Sequence, residues 1–116
     1  MKHLREKTFF DNEEQNILLH CRREIQSVDP TAEVILYGSR ARRDHAPDSD
    51  YDLLILTDQE ASWKQEDIFR DRIYDIELET GAVLSIMLRH RNQWDSNLYK
   101  AMPFHHNVEN EGVIIL

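Results

Sequence analysis

Two short runs of the chain carry residues able to do chemistry together. The first is Tyr37-Gly38-Ser39-Arg40-Ala41-Arg42-Arg43, and the second is Asp50-Tyr51-Asp52-Leu53-Leu54. Side chains two apart on a strand point to one face, so Asp50 and Asp52 are expected to project together. Two adjacent carboxylates repel and raise each other's pKa unless a cation lies between them. A hard divalent ion such as Mg²⁺ resolves that conflict, because it takes oxygen ligands and commonly uses one or two carboxylates plus phosphates. Gly38 lets the backbone approach a ligand with no Cβ in the way. The Ser39 hydroxyl and the amides that follow can donate to phosphate oxygens. Arg40, Arg42 and Arg43 are expected to add charge-assisted bonds to the same phosphates. One strand end would grip a polyphosphate and the next would hold its metal.

These runs must be positioned by the elements around them. Asp11 with Glu14 has the pattern of a reciprocal N-terminal cap, which predicts a helix from about residue 12 to 28. Its apolar stripe is Ile17, Leu18, Cys21, Ile25 and Val28, and Pro30 ends it. Val34-Ile35-Leu36-Tyr37 reads as a buried strand stopped by Gly38, and Tyr51 to Leu56 as the next strand. Ser62 and Gln65 suggest another capped helix running to about Glu79, with Ile68 or Phe69, the stem of Arg72, Ile73 and Ile76 inward. Gly81 suits the left-handed residue beyond its end. Val83 to Leu88 is a third strand, and residues 92–101 are expected to form a short helix with Trp94, Leu98 and Tyr99. The apolar tail, Gly112 to Leu116, is expected to dock or to add an edge strand. Residues 1–10 are expected to be frayed or loosely docked. The order helix, strand, strand, helix, strand, helix implies an α+β fold: a small mixed β-sheet with helices packed on one face.

The bulk properties are consistent with this. The 116 residues suit one domain spanning 1–116, and 41% hydrophobic content suits a globular core. The single cysteine, Cys21, excludes an intramolecular disulfide and reads as a packed thiol. A net charge of -8 argues against tight non-specific binding to nucleic acid. No stretch is apolar enough to span a bilayer, so a cytoplasmic protein is the expectation. The apolar tail leaves pairing into an oligomer open.

Each piece has an ordinary reading: a turn, a solvated strand edge, a surface arginine run. In this order, between two apolar strands, they are far more specific. Gly38-Ser39, ten intervening residues and then Asp50-x-Asp52 resembles the signature of the DNA polymerase beta-like nucleotidyltransferase superfamily. The strings Leu36-Tyr37-Gly38-Ser39-Arg40-Ala41-Arg42 and Ser49-Asp50-Tyr51-Asp52-Leu53-Leu54 are similar to those of the small bacterial minimal nucleotidyltransferases. The resemblance implies a nucleotidyltransferase-like fold. Gly38 and Ser39 would hold the phosphates of a nucleoside triphosphate, and Asp50 and Asp52 would bind Mg²⁺, as a pair of ions. It implies transfer of a nucleoside monophosphate, with AMP the expectation, to a hydroxyl of a protein or small molecule. It also implies an alternative: an antitoxin-type module that binds nucleotide and a HEPN-type protein partner.

The chain departs from that family in two places. Active members carry a third carboxylate on a later strand, whereas Val83-Leu84-Ser85-Ile86-Met87-Leu88 offers Ser85 or Met87 there. Glu77 and Glu79 precede that strand and are read as helix surface. Arg43 stands where a small residue is common. Of the remaining candidates, His105-His106 reads as a surface loop and Trp63 and Trp94 as helix-to-core packing; His90 lies in a basic stretch that could reach a ligand.

Overall fold

The computed structural model describes residues 1–3 and 10–115. Its elements in order are β1 (Lys2–His3), α1 (Asn12–Val28), β2 (Glu33–Tyr37), α2 (Ser39–Arg42), β3 (Tyr51–Thr57), α3 (Trp63–Thr80) and β4 (Leu84–His90). Three short helices follow, α4 (Arg91–Trp94), α5 (Asn97–Lys100) and α6 (Pro103–Glu111), and then β5 (Val113–Ile115). The strands form one mixed sheet in the order β1-β5-β2-β3-β4. β2 runs antiparallel to both β3 and β5, while β3 and β4 are parallel, joined by α3 as the crossover. This is the expected α+β fold.

The long helices form where their caps predict. Asp11 accepts from the Glu14 amide at 2.8 Å, and the Glu14 side chain accepts in return from the Asp11 amide. Ser62 accepts from the Gln65 amide to start α3, and Gly81, at φ 75°, ends it. Ile17, Leu18, Cys21 and Ile25 of α1 and Phe69, Ile73 and Ile76 of α3 are buried against one face of the sheet. Phe69 rather than Ile68 turns inward, and Arg72 is exposed rather than laid along the core. Strand alternation supplies Val34, Leu36, Tyr51, Leu53, Ile55, Leu84, Ile86 and Leu88 to the same layer. Cys21 is fully buried; burial first, and then the charge of Glu77, push its thiol up to about 12. It is a packed group rather than a nucleophile.

The C-terminal third differs from the expectation in detail. The single helix expected over 92–101 is two separate turns, α4 and α5, because Ser96 caps the second by accepting from the Tyr99 amide. α6 was not foreseen, although Pro103 at its first turn is the signal for its start. It carries His105 and His106, which are therefore not on a loop. His105 is buried and stacks on Trp94 with ring centroids 4.3 Å apart. Trp94, Val108 and partly buried Tyr37, Met87, Tyr99 and Phe104 form a second, smaller core around Ile35, Leu54 and Leu56. These short helices cover part of the face opposite α1 and α3. Trp94 is core as expected, but Trp63 is 71% exposed.

The tail joins the sheet inside its edge. β5 lies between β2 and β1, with Ile35 paired to Ile114 and Lys2 to Val113. Lys2 and His3 are thus a short edge strand rather than frayed ends. Residues 4–9 of the expected loose segment, and Leu116 of the tail, lie outside the described residues.

Candidate active site

The site grows from the end of β2. In register, Tyr37 pairs with Asp52 across the antiparallel β2–β3 ladder. Gly38 then leaves the strand at φ 77°, ψ -158°, a region open essentially to glycine alone. A Cβ at Gly38 would overlap the Asp52 Oδ2. The bend and the carboxylate therefore abut, and only the missing side chain allows it. Ser39 opens the one-turn helix α2, whose first amides have no partner within the helix. Arg43, at φ 66°, ends α2 in the left-handed region.

Asp52 points to the face of the sheet shared by Tyr37, Leu54 and Met87, opposite the Tyr51 and Leu53 layer. Asp50 lies just before β3 and is exposed. Burial first, and then the charge of Asp50, push the Asp52 carboxyl up, while Arg42 pulls it back. The charge of Asp50 thus acts on Asp52 as one carboxylate on another. Tyr37 is half-buried beside them; burial and then the Asp52 charge raise its phenol. Its ring meets Phe104 edge-on at 5.3 Å.

The three arginines expected at the phosphates separate into two groups. Arg40 is buried, and its guanidinium lies over the Tyr51 ring at 4.0 Å, on the α1 side of the sheet. It donates to the Ser49 carbonyl at 2.9 Å, the Pro47 carbonyl at 3.1 Å and Glu14 Oε2 at 3.3 Å. Arg43 forks onto the same glutamate at 2.7 and 2.9 Å. The structure thus gives Arg40 and Arg43 a task other than the expected phosphate contact. They tie the turn to the N-terminus of α1, and Arg40 holds the segment that delivers Asp50. The presence of Arg43 in place of a smaller residue has its explanation in that fork. Burial raises the Glu14 carboxyl, but hydrogen bonds from Arg43 and the Asp11 amide, with the charges of both arginines, outweigh it and hold Glu14 below its usual range.

Arg42 alone of the three is exposed and acts on Asp52. It pairs with Asp44 at 3.0 Å and with Glu111 of α6 at 3.2 Å. Glu111 has no local sequence signal, since it reaches the site only through the packing of α6.

The remaining acids do not join the pair. On β4 the residue in register with Asp52 is Ser85, exposed and on the same face. Glu77 accepts from the Leu84 amide at 3.0 Å, which accounts for it structurally, and Glu79 is exposed on α3. Among the described residues, no group of three or more His, Cys, Asp or Glu side chains is clustered as a metal site. His90 pairs in register with Thr57, at the opposite end of the sheet, and caps α4 there. A second buried acid, Asp29, also lies at that end, bonded by Thr31 and Thr57. It closes α1 and is structural.

Asp50 and Asp52 fit a divalent cation of the oxygen-seeking kind. Asp52 supplies a carboxylate against the glycine bend, Asp50 a second one close enough for its charge to act on the first, and Arg42 is exposed beside them. No helix among the described residues is long and apolar enough to cross a membrane.

No curated protein matches the chain. In fold the chain is similar to a crystal structure from Sulfolobus solfataricus described as a "putative nucleotidyltransferase". The TM-score is 0.54 at 18% identity, covering 77% of this chain and 84% of that one. The sequence pattern of the nucleotidyltransferase domain matches residues 18–105, which include the glycine bend, both aspartates and most of the sheet. The chain belongs to the nucleotidyltransferase domain family.

Proposed function

We propose that this protein transfers a nucleoside monophosphate, AMP in the first instance, from a nucleoside triphosphate to a hydroxyl of a protein or small molecule. The observation that carries the reading is the close approach of the Gly38 bend to the Asp52 carboxylate, where a Cβ would overlap Oδ2. Asp50 and Asp52 would hold Mg²⁺. When bound, Mg²⁺ neutralises charge on the triphosphate and on the departing pyrophosphate. Ser39 and the first amides of α2 donate to phosphate oxygens. Arg42 keeps Asp44 on its Nε and Glu111 on its Nη1 and offers its Nη2 to a phosphate, a charge-assisted bond. Arg40 acts behind these groups by holding Pro47 and Ser49, and so Asp50, in place.

The test is incubation of the purified protein with labelled ATP, Mg²⁺ and candidate acceptors drawn from lysate. Label should enter an acceptor with the native chain and fall at least about 100-fold with Asp50→Asn or Asp52→Asn. Equal labelling by the native chain and a folded Asp52→Asn variant would discard the proposal.

Ser85 beside Asp52 favours a second reading. With no carboxylate there, acceptor activation is weakened more than nucleotide binding. The chain would then be a nucleotide-binding antitoxin-type module whose main task is to hold a HEPN-like partner. Calorimetry with ATP and Mg²⁺ separates the two: binding without transfer, together with a copurifying partner, selects the second.

A further inference from the structure

Asp52 has two neighbours in the sheet, and neither carries a negative charge. On the β2 side Tyr37 is half-buried, its phenol held protonated by burial and by Asp52 itself. On the β4 side Ser85 is exposed, on the same face, at the separation of adjacent strands, about 4.8 Å. Glu77 is engaged at the Leu84 amide, and Asp44 and Glu111 are engaged by Arg42. Among the described residues, the candidate cation site therefore rests on two carboxylates. Mg²⁺-like ions shed water reluctantly, and where a protein offers one or two carboxylates, phosphate oxygens usually join them in the shell.

We infer that Ser85 sets the order of binding at this site: with a hydroxyl there, the two aspartates take up a divalent cation only as a complex with the polyphosphate. A carboxylate at 85 would face the same cation from the β4 side and let it bind alone. This inference rests on the nucleotide reading above. It concerns what Ser85 does to that site, which a transfer assay does not report.

The test measures protein-bound Mn²⁺ on the full chain, with and without a non-hydrolysable ATP analogue, as the Mn²⁺ retained with the protein on rapid filtration beyond a protein-free control holding the same analogue, which binds Mn²⁺ by itself. The native protein and Ser85→Ala should bind Mn²⁺ saturably only with the analogue, at least about tenfold more tightly than without it. Ser85→Asp should bind Mn²⁺ alone at least about tenfold more tightly than the native chain. Its melting temperature should also rise with Mn²⁺ alone, while the native one stays put. Native protein that binds Mn²⁺ equally well with and without the analogue overturns the inference, whether or not Ser85→Asp folds. So does folded Ser85→Asp that gains nothing. Native protein that binds neither analogue nor Mn²⁺ overturns the nucleotide reading as well. A native chain that takes the analogue and Mn²⁺ together, with an unresponsive Ser85→Asp, leaves that reading standing and removes only this one.

Discussion

Glu14 and Asp52 lie on opposite faces of the sheet, on either side of one glycine bend, and their carboxyls are driven in opposite directions. Glu14 receives two arginines and a backbone amide and is held below its usual range. Asp52 is pushed above it by burial first and then by the charge of another carboxylate. The first arrangement stores stability in the turn. The second withholds it, leaving a site whose electrostatic debt a cation would relieve. The same short segment, Gly38 to Arg43, serves both, sending Arg40 and Arg43 to the stabilising side and Arg42 to the unsatisfied one.

The contrast can be broken most severely at Glu14. Glu14→Gln leaves the buried Arg40 without its anion and should cost about 3 kcal/mol, read by urea denaturation. A loss under 0.5 kcal/mol would mean that the Ser49 and Pro47 carbonyls suffice for Arg40. Gly38→Ala forces a Cβ onto Asp52 and a non-glycine residue into a glycine-only region. It should cost about 2 kcal/mol and weaken nucleotide binding together with stability. Unchanged nucleotide binding in that variant would separate the bend from the site.

The pH dependence sharpens the comparison, because the two signs differ. The Glu14 contribution is complete above the ordinary glutamate value of 4.5 and is lost as pH falls through the depressed native value. The Asp52 penalty is absent below the ordinary aspartate value of 3.8, grows as pH rises from there to the elevated native value, and is complete above it. Stability curves of Glu14→Gln and Asp52→Asn against pH should therefore diverge from the native curve in opposite directions at neutral pH and converge towards it in acid. The smallest effect is at Asp52 itself: Asp52→Asn should raise the melting temperature slightly at neutral pH while abolishing transfer. A fall in melting temperature would show that the carboxylate is satisfied in the fold.

Much of this was legible in the residues. The Asp11–Glu14 cap, the Ser62 cap, the apolar stripes of α1 and α3 and the terminating role of Gly81 rest on contacts within one turn of chain. α6 escaped because its Pro103 signal is short and its apolar positions few. Trp63 escaped because bulk apolar character does not determine which face of a helix meets the sheet. The fate of the arginine run was invisible for a related reason: three like residues in four positions offer no local hint of which will find an anion.

Backbone sterics act over a few bonds, so the chain alone determined that a glycine bend would end one strand and that two carboxylates would stand at the start of the next. Partners remote in sequence are chosen by packing. Glu14 meets Arg40 and Arg43 across 26 and 29 residues, Arg42 meets Glu111 across 69, and Ser85 meets Asp52 only through the register of two parallel strands. Those meetings depend on how α1, α6 and β4 are laid against the sheet, which buried area and close packing decide over the whole domain. Hence the site's likeness to a nucleotidyltransferase could be read from local spacing, whereas the division of its arginines and the hydroxyl beside Asp52 belonged to the fold.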